Sequence, residues 1–261
     1  MDKKKQLASH PLMNAVFENI RPTLNKSMDR LKKIAKRGKI RHRKENALNE
    51  YQSYNVNVFQ RAHALLNCVY QLEDIRKFIK RFPSPRTYER ENISQYRWIE
   101  YHYSYFVIIL VTLADTSLIL VNTVFRLGNP EKLCRAEVIK SNEWVKDTTV
   151  NRSLQRIDEI TSRHRSVRNL SVHRGKAPEL YKIFKSDLLD YLNLYSFVNL
   201  HAEPIVDKRL LDFAFEGEIK KICESLDKEL DAVKAAIWKL FDSLTPIYHS
   251  YERLLAKTSN T

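Results

Sequence analysis

The sequence predicts an all-α fold: a bundle of long helices with a basic N-terminal helical extension. Three observations carry this. Only four of the 261 residues are glycine, well under the roughly 7% of average usage, so few tight hairpins with positive-φ turns can form. Apolar residues recur at three- and four-residue spacings along most of the chain, and no stretch alternates convincingly with period two. Pro83, Pro85, Pro130 and Pro178 each follow a periodic stretch, as loop punctuation does. At 43% hydrophobic and 29% charged residues, the composition is that of a globular chain able to bury a core.

The elements follow in order. Residues 1–50 are set apart by charge, with fourteen Lys and Arg against five Asp and Glu. Between Arg21 and Lys44, eleven basic residues accompany one acid, Asp29. Of the chain's net charge of +14, this extension holds the larger part, and such a surface attracts polyanions. It is either a solvated basic helix or arm, or a surface that tracks phosphates. In the second case Lys32, Lys33, Lys36, Arg37, Arg41 and Arg43, joined by Arg174 further on, are the RNA-binding side chains.

The bundle is expected over residues 51–261. Residues 51–81 read as one helix stopped by Pro83 and Pro85. Residues 97–127 form the next, closed by Gly128-Asn129-Pro130. Its run from Tyr103 to Leu127 is apolar for a length that could span a bilayer. Asp115 sits near the middle, where a carboxylate costs on the order of 2.5–3.5 kcal/mol by insertion scales. Thr112, Thr116, Ser117, Asn122 and Thr123 add polarity, so a central bundle helix is expected and no membrane partner. A short helix follows over 131–140. Asp147 or Thr148 then caps a helix whose buried stripe is Val150, Leu154, Ile157, Ile160, Val167 and Leu170, running to Gly175 and Pro178. Residues 180–200 suit another buried helix. Ile219, Ile222, Leu226, Leu230, Val233, Ile237 and Leu240 mark the last one.

Most familiar chemistries are excluded. There is no G-x-x-x-x-G-K-[ST] or G-x-G-x-x-G loop, no H-E-x-x-H, C-x-x-C or EF-hand pattern, and no G-x-S-x-G elbow. No cofactor and no metal are expected, and any chemistry must come from side chains on helices. Cys68, Cys134 and Cys223 are odd in number, far apart and set in apolar contexts. They read as buried hydrophobes in a reducing, cytoplasmic compartment. The N-terminal lysines have no apolar run behind them, so no secretory signal is expected.

The stretch HRSVRNLSVHRGKAP, from His164 to Pro178, is basic without an acidic residue. On a helix Arg165, Asn169 and His173 share one face, each a turn apart. Arg168 lies about 140° from His173 on an ideal helix, so the two meet only by a long reach or across two copies of the helix. Val167 and Leu170 are expected to anchor the element in the core. Such a set can cleave RNA without a metal. A histidine, ordinarily titrating near 6.5, takes the proton from a ribose 2′-hydroxyl, which attacks the adjacent phosphate. An arginine fork stabilises the charge gained by the phosphoryl oxygens. Asp115, on the apolar helix, is a supporting candidate for holding Arg165 or Arg168, and Asn122 is a second buried polar group there. His102, amid Trp98, Tyr101, Tyr103 and Tyr105, is either part of a base-stacking patch or part of a plain amphipathic face.

Arg-Asn-x-x-x-His at a helix end in an all-α chain resembles the Arg-x4–6-His motif of the HEPN superfamily (higher eukaryotes and prokaryotes nucleotide-binding domains). Asn169 matches the polar residue that usually follows the arginine, and LILVNTVFRLG and CRAEVIKSN are similar to a prokaryotic branch over roughly residues 95–200. The resemblance implies a metal-independent endoribonuclease working as a homodimer, with Arg168 and His173 as the catalytic pair and Asn169 in support. It implies RNA as substrate, a role as a toxin or in phage defence, and an antitoxin or defence-system partner. Some members carry Arg-x4-His-x-Tyr and are controlled by adenylylation of the tyrosine; here that position is Gly175. Others bind nucleotides without cleaving RNA. A non-catalytic binding module and an interaction subunit of a larger assembly therefore stand as alternatives.

Overall fold

The computed structural model describes residues 6–37, 48–81, 93–198 and 208–259. Their helices, in chain order, are α1 Pro11–Arg37, α2 Glu50–Lys80, α3 Gln95–Val124, α4 Ala136–Lys140, α5 Thr149–Ser162, α6 Arg165–Arg174, α7 Leu180–Phe184, α8 Asp187–Val198 and α9 Lys208–Thr258. Short 3-10 turns occupy Leu7–Ser9 and Glu131–Leu133. No strand occurs among the described residues, and the all-α class is as the periodicity predicts.

α2 and α3 lie close to their expected bounds, and α9 extends well beyond its apolar repeat at both ends, with Pro246 inside it. Three expected helices are broken. Residues 131–140 divide into a 3-10 turn and α4. The span 149–174 divides into α5 and α6 at a turn of Arg163 and His164. The 180–200 helix divides where Lys185 takes φ 51° and Ser186 Oγ accepts the Leu189 N–H at 3.2 Å, capping α8. α3 is long and apolar enough to cross a membrane, but 61% of its apolar window is buried inside the protein, as in a core helix.

The chain forms two compact units, with boundaries inside α2, α3, α5 and α9. The first takes Met1–Asn67, Asp115–Ile157 and Ala235–Thr261. Its core gathers Leu12, Val16 and Ile20 of α1 with Val58, Leu65, Val121, Leu154, Ile237 and Leu244. Tyr248 is fully buried; its hydroxyl donates to Asn55 Oδ1 at 2.5 Å and accepts from Asn19 Nδ2 at 2.8 Å, tying α9 to α2 and α1. Buried His10 caps α1: its Nδ1 accepts the Leu12 N–H at 3.0 Å while Nε2 lies 2.9 Å from Asp242 Oδ1. Apolar Leu7, Leu12, Met13, Val16 and Ile20 are core, so the start of the basic extension is built into the first unit. Only beyond Ile20 does α1 turn to solvent, where Leu24, Met28 and Leu31 are exposed alongside Lys26, Lys32 and Lys33.

The second unit takes Cys68–Ala114 and Asp158–Lys234. Leu72, Ile75 and Ile79 of α2 share its core with Ile99, Phe106 and Leu110 of α3 and with Ile222, Leu226 and Val233 of α9. α2 and α9 run in opposite directions, since Glu73 pairs with Lys234 and Arg76 with Asp227. All three cysteines are buried free thiols.

Candidate active site

α5 delivers the chain to the site. Thr148 Oγ1 accepts the Asn151 N–H at 3.4 Å at its start, and Val150, Leu154, Ile157 and Ile160 are buried. The stripe then stops. Val167 is only half-buried, Leu170 is 37% exposed and Val172 51% exposed, and α6 contains no buried residue. The expected core anchorage by Val167 and Leu170 is thus corrected: the turn at Arg163 and His164 rotates the following helix out of register with the α5 stripe.

That turn is held by one carboxylate. Arg163 Nη2 lies 2.7 Å from Glu229 Oε1, and His164 Nε2 lies 3.1 Å from Glu229 Oε2. His164 is 6% exposed. Arg163 Nε donates to His164 Nε2 at 3.2 Å. Glu229 Oε2 is buried and, although 3.1 Å from that nitrogen, accepts no hydrogen bond among the described residues. Nearby Tyr103 is held well above the ordinary phenol range, first by burial and then by the Glu229 charge, with Arg163 opposing.

α6 displays the basic side chains. Arg168 Nη1 donates to Asn169 Oδ1 at 3.0 Å, so the asparagine orients the guanidinium. Arg165 Nη2 donates to Asp158 Oδ1 at 2.9 Å, a partner from α5, one turn and a joint away. His173 and Arg174 are exposed in the last turn. α6 ends as expected at Gly175, left-handed with φ 61°, whose N–H donates to the Leu170 carbonyl. On this helix Arg168 and His173 stand about 140° apart.

Asp115 and Asn122 belong to the first unit. Asn122 is spent on its own loop: Nδ2 donates to the Asn129 carbonyl at 2.9 Å, and Oδ1 accepts from Asn129 N at 3.2 Å and from Asn129 Nδ2 at 3.1 Å. It closes the end of α3. His102 packs between α2 and α3, stacked on Phe78 at 5.5 Å with Trp98 edge-on at 4.3 Å, and burial lowers its pKa. Lys32 and Lys33 are exposed on α1. The side chains of Lys36 and Arg37, and the whole of Arg41 and Arg43, lie outside the described residues. Among the described residues no group of three or more His, Cys, Asp or Glu gathers as metal ligands would.

Sequence reasoning missed Arg163, His164 and Glu229. The signal was present: Glu229 falls three residues after Leu226 and four before Val233, a charge at a core-facing position of the α9 stripe.

Against known proteins, no curated entry and no solved structure matches the chain. The HEPN_Cthe2314-like HEPN family does match, over residues 54–245, which includes most of α2, and all of α3, the α5–α6 joint and α6. The chain belongs to this HEPN family.

Proposed function

We propose that this protein is a metal-independent endoribonuclease of HEPN type, active as a homodimer in the cytoplasm. Its setting is phage defence or a toxin–antitoxin pair. The observation that carries the reading is α6 itself, which buries nothing and presents Arg168, Asn169 and His173 on a helix of the family's motif. A helix that contributes no core yet carries an oriented arginine is built for contact with something else.

The chemistry follows from these groups. One His173 takes the proton of a ribose 2′-hydroxyl, whose oxygen attacks the neighbouring phosphorus as the bond to the 5′ oxygen breaks. Water returns a proton to that leaving oxygen as His173 passes its own on to solvent, giving a 2′,3′-cyclic phosphate and a 5′-hydroxyl. Arg168, held by Asn169, meets the charge gathered on the phosphoryl oxygens. Arg174 and the basic stretch containing Lys32, Lys33, Lys36, Arg37, Arg41 and Arg43 draw in the RNA backbone.

The test is incubation of RNA with the purified protein in EDTA, beside Arg168→Ala and His173→Ala. Cleavage with 2′,3′-cyclic phosphate ends that disappears in both variants supports the reading. An equal background in all three contradicts it. RNA binding without cleavage, lost when the basic residues of 21–44 are neutralised, favours the non-catalytic module instead.

A further inference from the structure

A helix of ten residues with no buried side chain is not held by its own packing, and helices this short are marginal in water. The ends of α6 therefore contribute to where Arg168 sits. The C-terminal end closes on local bonds: the Lys176 N–H donates to the Leu170 carbonyl at 3.2 Å, and Ser171 Oγ donates to the Lys176 carbonyl at 3.2 Å. The N-terminal end is tied to a distant element. Glu229 of α9 pairs with Arg163 through Oε1 and lies 3.1 Å from His164 Nε2 through Oε2, while Arg163 Nε donates to His164 Nε2. The His164 carbonyl accepts the Arg168 N–H at 2.9 Å. Glu229, through Arg163 and His164, thus lies one backbone hydrogen bond away from Arg168.

We propose that Glu229 is a positioning residue for Arg168, acting through Arg163 and His164 to fix where α6 begins and which way the arginine faces. The effect on cleavage rests on the ribonuclease reading, whereas the mechanical link from Glu229 to α6 does not. The charged and titratable groups around the joint fit the role. Tyr103 of α3 feels the charges of Glu229 and Arg163, Asp158 of α5 takes Arg165, and no second carboxylate pairs with Arg163 or His164 among the described residues. Removing the Glu229 charge leaves the Arg163 guanidinium, which itself donates to buried His164, without its carboxylate partner, which frees the turn to rotate.

Two full-length variants, Glu229→Gln and His164→Asn, test this with two readouts. Hydrogen exchange at the Arg168 amide reports the bond to the His164 carbonyl directly. It is expected to quicken by about tenfold in both variants while core amides of α5 and α9 are unchanged. Single-turnover cleavage is expected to fall about tenfold in kcat with KM unchanged, and Glu229→Gln is expected to add no further loss to Arg168→Lys. Unchanged α6 exchange in both variants overturns the proposal. So does uniform loosening of the whole chain in both, since Glu229 would then be a fold residue only. Faster α6 exchange in a protein whose wild type cleaves no RNA upholds the positioning link and removes the ribonuclease reading.

Discussion

α5 and α6 are separated by two residues, yet they are built on opposite terms. α5 buries Val150, Leu154, Ile157 and Ile160, each such side chain being worth about 1.5–3 kcal/mol on burial. α6 buries none and is held by a carboxylate at one end and a left-handed glycine at the other. One helix supports the fold and the other is displayed by it. The difference separates residues whose loss costs stability from residues whose loss costs activity, and each prediction below presses on that separation.

The largest effect is expected on α6. Arg168→Ala and His173→Ala should each lower RNA cleavage by about 10²–10⁴-fold and leave Tm unchanged in a thermal melt. On α5 the pattern should invert. Leu154→Ala should cost about 2–5 kcal/mol of stability by chemical denaturation, while the matching truncation Leu170→Ala on α6 should stay within about 0.5 kcal/mol. Comparable losses at the two leucines would erase the contrast.

The joint between the helices can be read through Tyr103. Its phenol is raised in the folded state by burial and by the Glu229 charge. A raised pKa means that the folded state keeps its proton longer than the unfolded one. The associated stability is complete below the ordinary value of about 10 and is lost as pH rises from there toward the folded value. Denaturation across pH 9–11 should show stability falling above about pH 10. Tyr103→Phe should flatten that fall by up to about 1.4 kcal/mol per pH unit, the slope of one proton. A small effect belongs to the other end. Gly175 adopts φ 61° with nothing within 4 Å of an added Cβ, so Gly175→Ala should cost only about 1 kcal/mol of backbone strain, seen as fraying of the last α6 turn by hydrogen exchange.

Much of the fold was legible because burial leaves periodic traces. The stripes of α5 and α9 and the apolar run of α3 are written in residue spacing, and Thr148 and Gly175 are chemically suited to a cap and a stop. The break at Arg163 and His164 was not legible. Val167 and Leu170 continue the α5 spacing, so periodicity alone extends one helix through the turn, where the long-range tie to Glu229 sits. The burial of the start of α1 was not legible for a related reason: its charge dominates the composition, while Leu12, Val16 and Ile20 on one face decide where it sits. At the site, Arg168, Asn169 and His173 were visible as a motif. The bonds of Asn122 to Asn129 were not legible, since that pairing is set by loop closure, which no spacing records.

The most direct test of the account follows from the 140° between Arg168 and His173 on one helix. If a cleft is shared by two copies, Arg168→Ala and His173→Ala proteins, each inactive alone, should complement when mixed and allowed to exchange subunits. Random exchange makes half the dimers mixed, each with one complete site, so cleavage in EDTA should recover to about a quarter of wild type. Cleavage by wild type, with no recovery above either variant alone once exchange is verified, would contradict a site assembled from two chains.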